Sequence, residues 1–203
     1  MRKPADSQSP LHELISERWS PRAFAERSIE PDKVRSLLEA ARWAPSSSNG
    51  QPWSYLIASK DQPEEFDRLA SCLVDGNAWA KRAPLMLLAV AATHFAHNGK
   101  PNRHAFHDVG LANENLVLQA GAMGLVAHQM AGFLPDRARE IYEIPEAQEP
   151  LTMIAVGYPG EVDDLPEPLR ARETTPRSRK PLAEMAFSGK WGSRSPLAMS
   201  QGE

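Results

Sequence analysis

Between Pro84 and Thr93 the chain reads Leu-Met-Leu-Leu-Ala-Val-Ala-Ala, with no polar side chain inside the run. The stretch has strand length and is bounded by Pro84 and His94, so it predicts a β-strand. Successive side chains of a strand point to opposite faces, and here both faces are apolar. Such a strand must lie in a sheet that is covered above and below, which confines the fold to helices layered on a sheet.

The flanking sequence supplies the other pieces. Val34, Leu37, Leu38 and Ala41 follow the i, i+3, i+4, i+7 spacing of a helix that begins near Pro31 and is stopped by Pro45. Leu11, Leu14 and Ile15 mark one face of a shorter helix starting near Pro10. Trp53 to Ser59, rich in aromatic and branched residues, predicts a strand, and a helix with Phe66, Leu69, Ala70 and Leu73 on its inner face follows. Residues 102–123 predict a long helix with the core stripe Val109, Ala112, Leu116, Ala120 and Met123, and Gly110, Gly121 and Gly124 allow close packing. A short strand at 125–130, a helix at 135–142 and a last core strand at 151–158 complete the alternation. Beyond Pro159 the chain turns proline-rich and charged, and is expected to wrap its own domain or a partner subunit. The expected organisation is a frayed polar tail at 1–9, a single domain at 10–190 and a C-terminal tail at 191–203.

Bulk properties narrow the function. With 203 residues, 41% hydrophobic and 24% charged, the composition is globular. A net charge of -3 lacks the basic surplus of a general nucleic-acid binder, so no nucleic-acid partner is expected. No apolar run approaches the roughly 20 residues of a membrane span, so no membrane partner is expected either. The single cysteine, Cys72, cannot close an internal disulfide, and the N-terminus lacks the apolar core of a secretory signal. A cytoplasmic location is the resulting expectation. No G-x-G-x-x-G follows a strand and no G-x-x-x-x-G-K-S/T occurs, which leaves the usual nucleotide folds unsupported.

Three segments carry chemistry. Arg18 and Arg22 lie four apart around Ser20, and two guanidiniums with a hydroxyl can clamp a phosphate through charge-assisted hydrogen bonds. A solvated basic helix end accounts for the same residues. Arg177-Ser178-Arg179-Lys180 repeats that chemistry near the C-terminus, with a solvated basic run as its plain alternative. Together the two clusters are what a dianionic phosphate monoester needs. The third segment, Pro45 to Gln51, offers small hydroxyls, and its Asn49 and Gln51 carboxamides both donate and accept. They suit the imide and carbonyl edge of a flavin ring, although Ser, Asn and Gly are also ordinary turn residues.

Taken together, the chain resembles the FMN-dependent nitroreductase family. The resemblance rests on Arg18-Trp19-Ser20-Pro21-Arg22, on Glu39 through Ser47, on Asn49-Gly50-Gln51-Pro52-Trp53 and on Asn77-Ala78-Trp79-Ala80-Lys81. It continues through Asn115-Leu116 to Gly124-Leu125, Gln129-Met130-Ala131-Gly132-Phe133, Ala155 through Pro159 and Arg177-Ser178-Arg179, in family order over roughly residues 11–190. It implies an α+β sandwich, a mixed, mainly antiparallel sheet flanked by helices, in an intertwined homodimer with an exchanged C-terminal segment. Two FMN molecules would lie at the subunit interface. Arg18, Ser20, Arg177 and Arg179 would hold the phosphate and ribityl end, with Arg22 at the pyrimidine edge of the ring. Ser46, Ser47, Asn49 and Gln51 would come from the partner subunit. Asn77 and Lys81 would stand near the ring oxygens, and Ala131 and Gly132 would present backbone groups to the N5 side. Trp19, Pro45 and Met130 join the same cofactor-binding set. The implied activity is an NADH- or NADPH-driven ping-pong reduction of small nitroaromatic or quinone-type acceptors by hydride transfer at flavin N5. No side-chain nucleophile is required.

Other readings remain open at this level. His94, His97, His104, His107 and Asp108 are ligand types that zinc prefers, and a metal-dependent enzyme is one alternative. The same histidines can instead line a cap that sets acceptor choice. A flavin-binding module without turnover, or a flavoenzyme of dehalogenating or ring-fragmenting type, would carry the same binding residues. Cys72 is expected to be a small core residue, the tryptophans Trp43, Trp53 and Trp79 to pack in the core or at an interface, and Asp108 to orient a turn or cap the long helix.

Overall fold

The computed structural model describes residues 1–199; residues 200–203, the end of the expected C-terminal tail, lie outside the described residues. Its middle layer is a four-stranded sheet of β1 (Trp53–Ser59), β2 (Leu85–Ala92), β3 (Val126–Met130) and β4 (Gln148–Gly157), in the order β1-β2-β4-β3. Every pairing is antiparallel, so the mixed sheet expected from the resemblance is purely antiparallel within the described residues. β2 is the apolar run noted above. Leu85 and Leu87 face Leu37 and Ala41 of α2 (Pro31–Arg42) and Ala112 and Leu116 of α4 (Ala105–Ala122). Met86, Leu88 and Val90 face the other way, onto Phe66 and Leu69 of α3 (Pro63–Ala70) and Ala138 of α5 (Pro135–Tyr142). The strand therefore has two cores because helices cover both its faces. Each fully buried Leu or Met side chain contributes about 1.5–3 kcal/mol.

Several expected boundaries move for local reasons. α4 starts at Ala105 rather than Asn102, because the buried Asn102 side chain accepts the His104 N–H (3.1 Å) and holds the chain in a turn first. Gly110 and Gly124 do not serve close helix packing in the single chain, since a Cβ built on either meets nothing within 4 Å. Gly124 instead adopts φ +73° after the last turn of α4, a conformation that favours glycine. Leu11 and Ile15 are exposed, and only the one-turn helix α1 (Glu13–Glu17) forms there. Trp79 is buried and Trp53 packs on the core, but Trp43 is 72% exposed, its indole N–H donating to Glu39 (2.7 Å).

The two chain ends fold back on each other at one end of the sheet. The Ala5 N–H reaches the Ser16 carbonyl (2.8 Å), the Lys3 ammonium reaches the Glu173 carbonyl (2.8 Å), and Arg177 donates to the Ser16 carbonyl (2.9 Å). Residue 173 belongs to α6 (Glu167–Thr174), a short helix inside the proline-rich segment expected to wrap its own domain or a partner. Phe24 bridges Pro159 just past β4, with Gly160 donating to Ala23 (3.0 Å) and Ala25 to Tyr158 (3.0 Å). The segment carrying Arg18 to Arg22 is thus stitched to the exit of a core strand. A Cβ at Gly160 would stand 2.5–2.8 Å from the Phe24 backbone, so Gly160→Ala must force two main chains apart. A loss of about 1–3 kcal/mol in unfolding free energy is expected from urea titration, the scale of overpacking a tight contact.

Candidate functional site

The arginines from both ends of the chain meet in one cavity. Lys3, Arg18, Trp19, Ser20, Arg22, Arg172, Thr175, Pro176, Arg177 and Arg179 line a hollow of about 270 Å³, with no acidic residue in its wall. The Arg18 guanidinium donates to the Ser20 hydroxyl (3.3 Å), and the Lys3 ammonium sits 4.7 Å above the Trp19 ring. Crowding shows in the electrostatics. Burial first, then the Arg18 and Arg179 charges, draws the Arg177 pKa below the ordinary arginine value. Lys3 is lowered likewise, by burial first and, among its charged neighbours, by Arg177 and Arg22 against the opposing pull of Glu173. A wall of like charges beside an ordered hydroxyl has the chemistry to take an anion.

From this cavity a line of contacts runs along the edge strand β3. The Arg22 guanidinium lies 5.7 Å from the Trp79 ring, and Trp79 packs against His128 at 4.5 Å. His128 hydrogen-bonds the Pro21 carbonyl (3.0 Å), which holds the arginine segment to the sheet. The Trp79 indole N–H donates to the Asn77 side-chain oxygen (3.3 Å), and the Asn77 amide donates to the Gly132 carbonyl (2.8 Å). Met130 is buried and forms the last ladder pair of β3, with Met153; Ala131 and Gly132 follow beyond it. Four residue steps lead from His128 to Gly132, roughly 13 Å along an extended strand. A Cβ on Gly132 would lie 2.6 Å from the Asn77 amide, so only glycine permits this approach. Lys81 is exposed and lines neither this hollow nor the one described next.

The Pro45–Gln51 loop lies elsewhere. It leads into Trp53, opposite Ala91 and so beside Glu149, whereas the arginine segment is stitched to Pro159 beyond the other end of β4. Seven residue steps along β2 put the two roughly 20 Å apart. Ser48 (φ 52°), Asn49 (φ 52°) and Gln51 (φ 44°) all occupy the left-handed region, where each non-glycine residue is strained by about 1–3 kcal/mol. The strain is held by named contacts. Asp108, 2% exposed, accepts the Ser47 N–H (2.9 Å) through one oxygen and pairs with His107 (3.0 Å) through the other. The Ser46 hydroxyl accepts the Gln51 N–H (3.0 Å), and the Gln51 amide donates to the Asn49 carbonyl (3.3 Å). Pro45, Ser46, Ser47, His104, His107, Asp108 and Leu111 line a second hollow of about 290 Å³. Asp108 therefore orients the turn, as expected. Among the described residues no group of three His, Cys, Asp or Glu is placed to share a metal ion, and His94 and His97 bond to their sequence neighbours Thr93 and Asn98.

Sequence reasoning missed Lys3, Arg172, His128 and above all Glu173. Glu173 is fully buried and accepts the Arg22 and Ala23 N–H groups at 2.7 and 3.1 Å. Nothing in its local sequence marks it, because its partners are some 150 residues away.

Residues 15–158 match the model of the Nitroreductase family. A solved structure described as an oxidoreductase containing FMN superposes with a TM-score of 0.88 at 36% identity, covering 93% of this chain and 96% of that one. An uncharacterized 15.4 kDa protein in the ask 5'region of Mycolicibacterium smegmatis is 33% identical over 129 residues, 64% of this chain and 86% of that protein. An FMN reductase (NAD(P)H) of Bacillus subtilis is 24% identical over 72% of this chain and 65% of its own length. Among the described residues no helix is long and apolar enough to cross a membrane.

The half-buried imidazole of His128 gives a pH test. Burial, the larger effect, outweighs the Pro21 hydrogen bond and draws the His128 pKa from 6.5 down to about 4. Between those values the unfolded chain binds more protons, so stability falls as pH drops from about 6.5 to about 4. At about 1.4 kcal/mol per unit the linkage amounts to at most roughly 3 kcal/mol, less where solvent reaches the ring. His128→Gln should flatten this part of the stability curve in urea unfolding at a series of pH values. Parallel curves for the two proteins would count against the assignment.

Proposed function

The chain belongs to the nitroreductase family, and from that premise we propose that it is an FMN-dependent oxidoreductase that passes electrons from NADH or NADPH to small nitroaromatic or quinone-type acceptors. The observation that carries this reading is the shared cavity: Arg18, Ser20 and Arg22 from one end of the chain and Arg177 and Arg179 from the other surround one space without an acidic neighbour in its wall. A phosphate monoester dianion fits that donor set, and the line from Arg22 past Trp79 to Asn77 and Gly132 offers a ring the length it needs. Bound FMN would supply the two-electron chemistry between the nicotinamide and the acceptor.

The residues of the chain bind, orient and polarise. Arg18, Arg177 and Arg179 hold the phosphate, with Trp19 and Ser20 beside them. Arg22 keeps a positive charge at the pyrimidine edge, where reduction concentrates negative charge. Asn77, oriented by Gly132, and Lys81 would serve the ring oxygens, and the Ala131 and Gly132 backbone would present groups to the N5 side. Donor and acceptor would use the same face in turn, which would give ping-pong kinetics. Because the Pro45–Gln51 loop stands roughly 20 Å from the arginines in one chain, we assign Ser46, Ser47, Asn49 and Gln51 to the site of a second copy. The C-terminal arm supports that pairing: Met185, Trp191 and Leu197 are 67%, 91% and 98% exposed, a large unburied apolar surface on a short segment. In this reading the arm crosses onto the partner subunit of a homodimer.

The deciding experiment is the absorbance spectrum of purified protein, followed by anaerobic titration with each nicotinamide and steady-state rates with a nitroarene and a quinone. Flavin bands, bleaching on titration and parallel double-reciprocal lines are expected; a colourless protein that leaves NADH and NADPH untouched would overturn the reading. Arg18→Ala or Arg179→Ala should each weaken FMN affinity by about 1–3 kcal/mol, the scale of a lost charged hydrogen bond. Fluorescence titration of apoprotein with FMN measures this directly.

A further inference from the structure

Glu173 has no role in the reaction as described, yet it is the most constrained charged group at the site. Its side chain is completely buried. One carboxylate oxygen accepts two backbone N–H groups, of Arg22 (2.7 Å) and Ala23 (3.1 Å). The other has no hydrogen-bond partner and faces the Arg22 guanidinium at 3.5 Å. Burying a carboxylate is expensive unless it is both paired and hydrogen-bonded. Here that requirement is met across the chain: α6, from the C-terminal segment, holds the loop that carries Ser20 and Arg22. The next residues, Thr175, Pro176 and Arg177, line the arginine cavity, and Arg172, immediately before Glu173, lines it too. His128 grips the same loop from the sheet side through the Pro21 carbonyl. Between them, the Pro21 carbonyl and the Arg22 and Ala23 N–H groups are all engaged.

We propose that Glu173 is a positioning residue for the cofactor phosphate: it locks the Ser20–Ala23 backbone against α6, so that N-terminal and C-terminal arginines reach one dianion. Most of that hold lies in the two short backbone bonds, because the guanidinium contact is longer and lacks hydrogen-bond geometry. This inference rests on the FMN reading above and concerns chiefly the phosphate end, served by Arg18 and Ser20 next to the locked backbone; Arg22, carried by the same backbone, stands at the ring, so a smaller effect on ring binding accompanies it. Loss of the lock should therefore weaken FMN, which has the phosphate, far more than riboflavin, which does not.

Two variants separate reach from charge. Glu173→Asp keeps the charge but is one carbon shorter, about 1.5 Å, and should no longer span both N–H groups. Glu173→Gln keeps the reach and the acceptor oxygen. Apoprotein of each is titrated with FMN and with riboflavin by fluorescence quenching. The expected result is an FMN dissociation constant raised tenfold or more in Glu173→Asp and less than threefold in Glu173→Gln, with riboflavin changed less than threefold in both. Equal weakening of both flavins would mean general loosening of the fold and would overturn the proposal. So would an indifferent Glu173→Asp, or a Glu173→Gln more damaged than Glu173→Asp. Wild-type protein that takes up neither flavin sinks the FMN reading and this one with it, whereas wild-type binding with indifferent variants sinks this one alone.

Discussion

Repulsion among guanidiniums is the constraint around which the site is arranged. Burial first, and then the charges of Arg18 and Arg179, lower the Arg177 pKa; Lys3 is lowered first by burial, with Arg177 and Arg22 adding to it against Glu173. Such a cluster disperses unless the backbone beneath it is tied down. The ties are explicit: Arg177 donates to the Lys3 and Ser16 carbonyls, Lys3 donates to the Glu173 and Thr175 carbonyls, and Glu173 takes the Arg22 and Ala23 N–H groups. A dianion in the hollow would turn the repulsion into attraction, and its binding would then be linked to the docking of both chain ends.

The sheet sets where that cluster can act. Because β2 is buried on both faces, helices occupy both sides and leave the edges and ends of the sheet for binding. The arginine cluster lies at one end, and the contacts through Trp79 and Asn77 follow the free edge of β3. The strained Pro45–Gln51 loop is held at the opposite end by Asp108. Strain of this sort persists only where surrounding contacts impose it, and Asp108 spends both oxygens doing so. In one chain the two halves are separated by the length of a strand. The exposed apolar C-terminal arm supplies a second reason to read the working unit as two copies.

Much of the layered fold was legible in the sequence. β1 (Trp53–Ser59) and α5 (Pro135–Tyr142) fall where pattern and proline placed them, and the Val109, Ala112, Leu116 and Ala120 stripe of α4 is fully buried. Local periodicity and proline geometry decide such elements, and both are written in consecutive residues. The chemistry of the arginines, serines and carboxamides was legible for the same reason, since donor type and charge belong to the residue itself.

Tertiary structure alone decided which of those groups share a space. Two basic runs separated by most of the chain became one cavity, Trp43 was left at the surface while Trp79 joined the site, and the wrapping segment yielded the helix α6 with its buried Glu173. The physical reason is that a buried carboxylate, a guanidinium cluster and a left-handed turn are each unfavourable by themselves. Their stability comes from partners far away in sequence, so no local pattern can announce them.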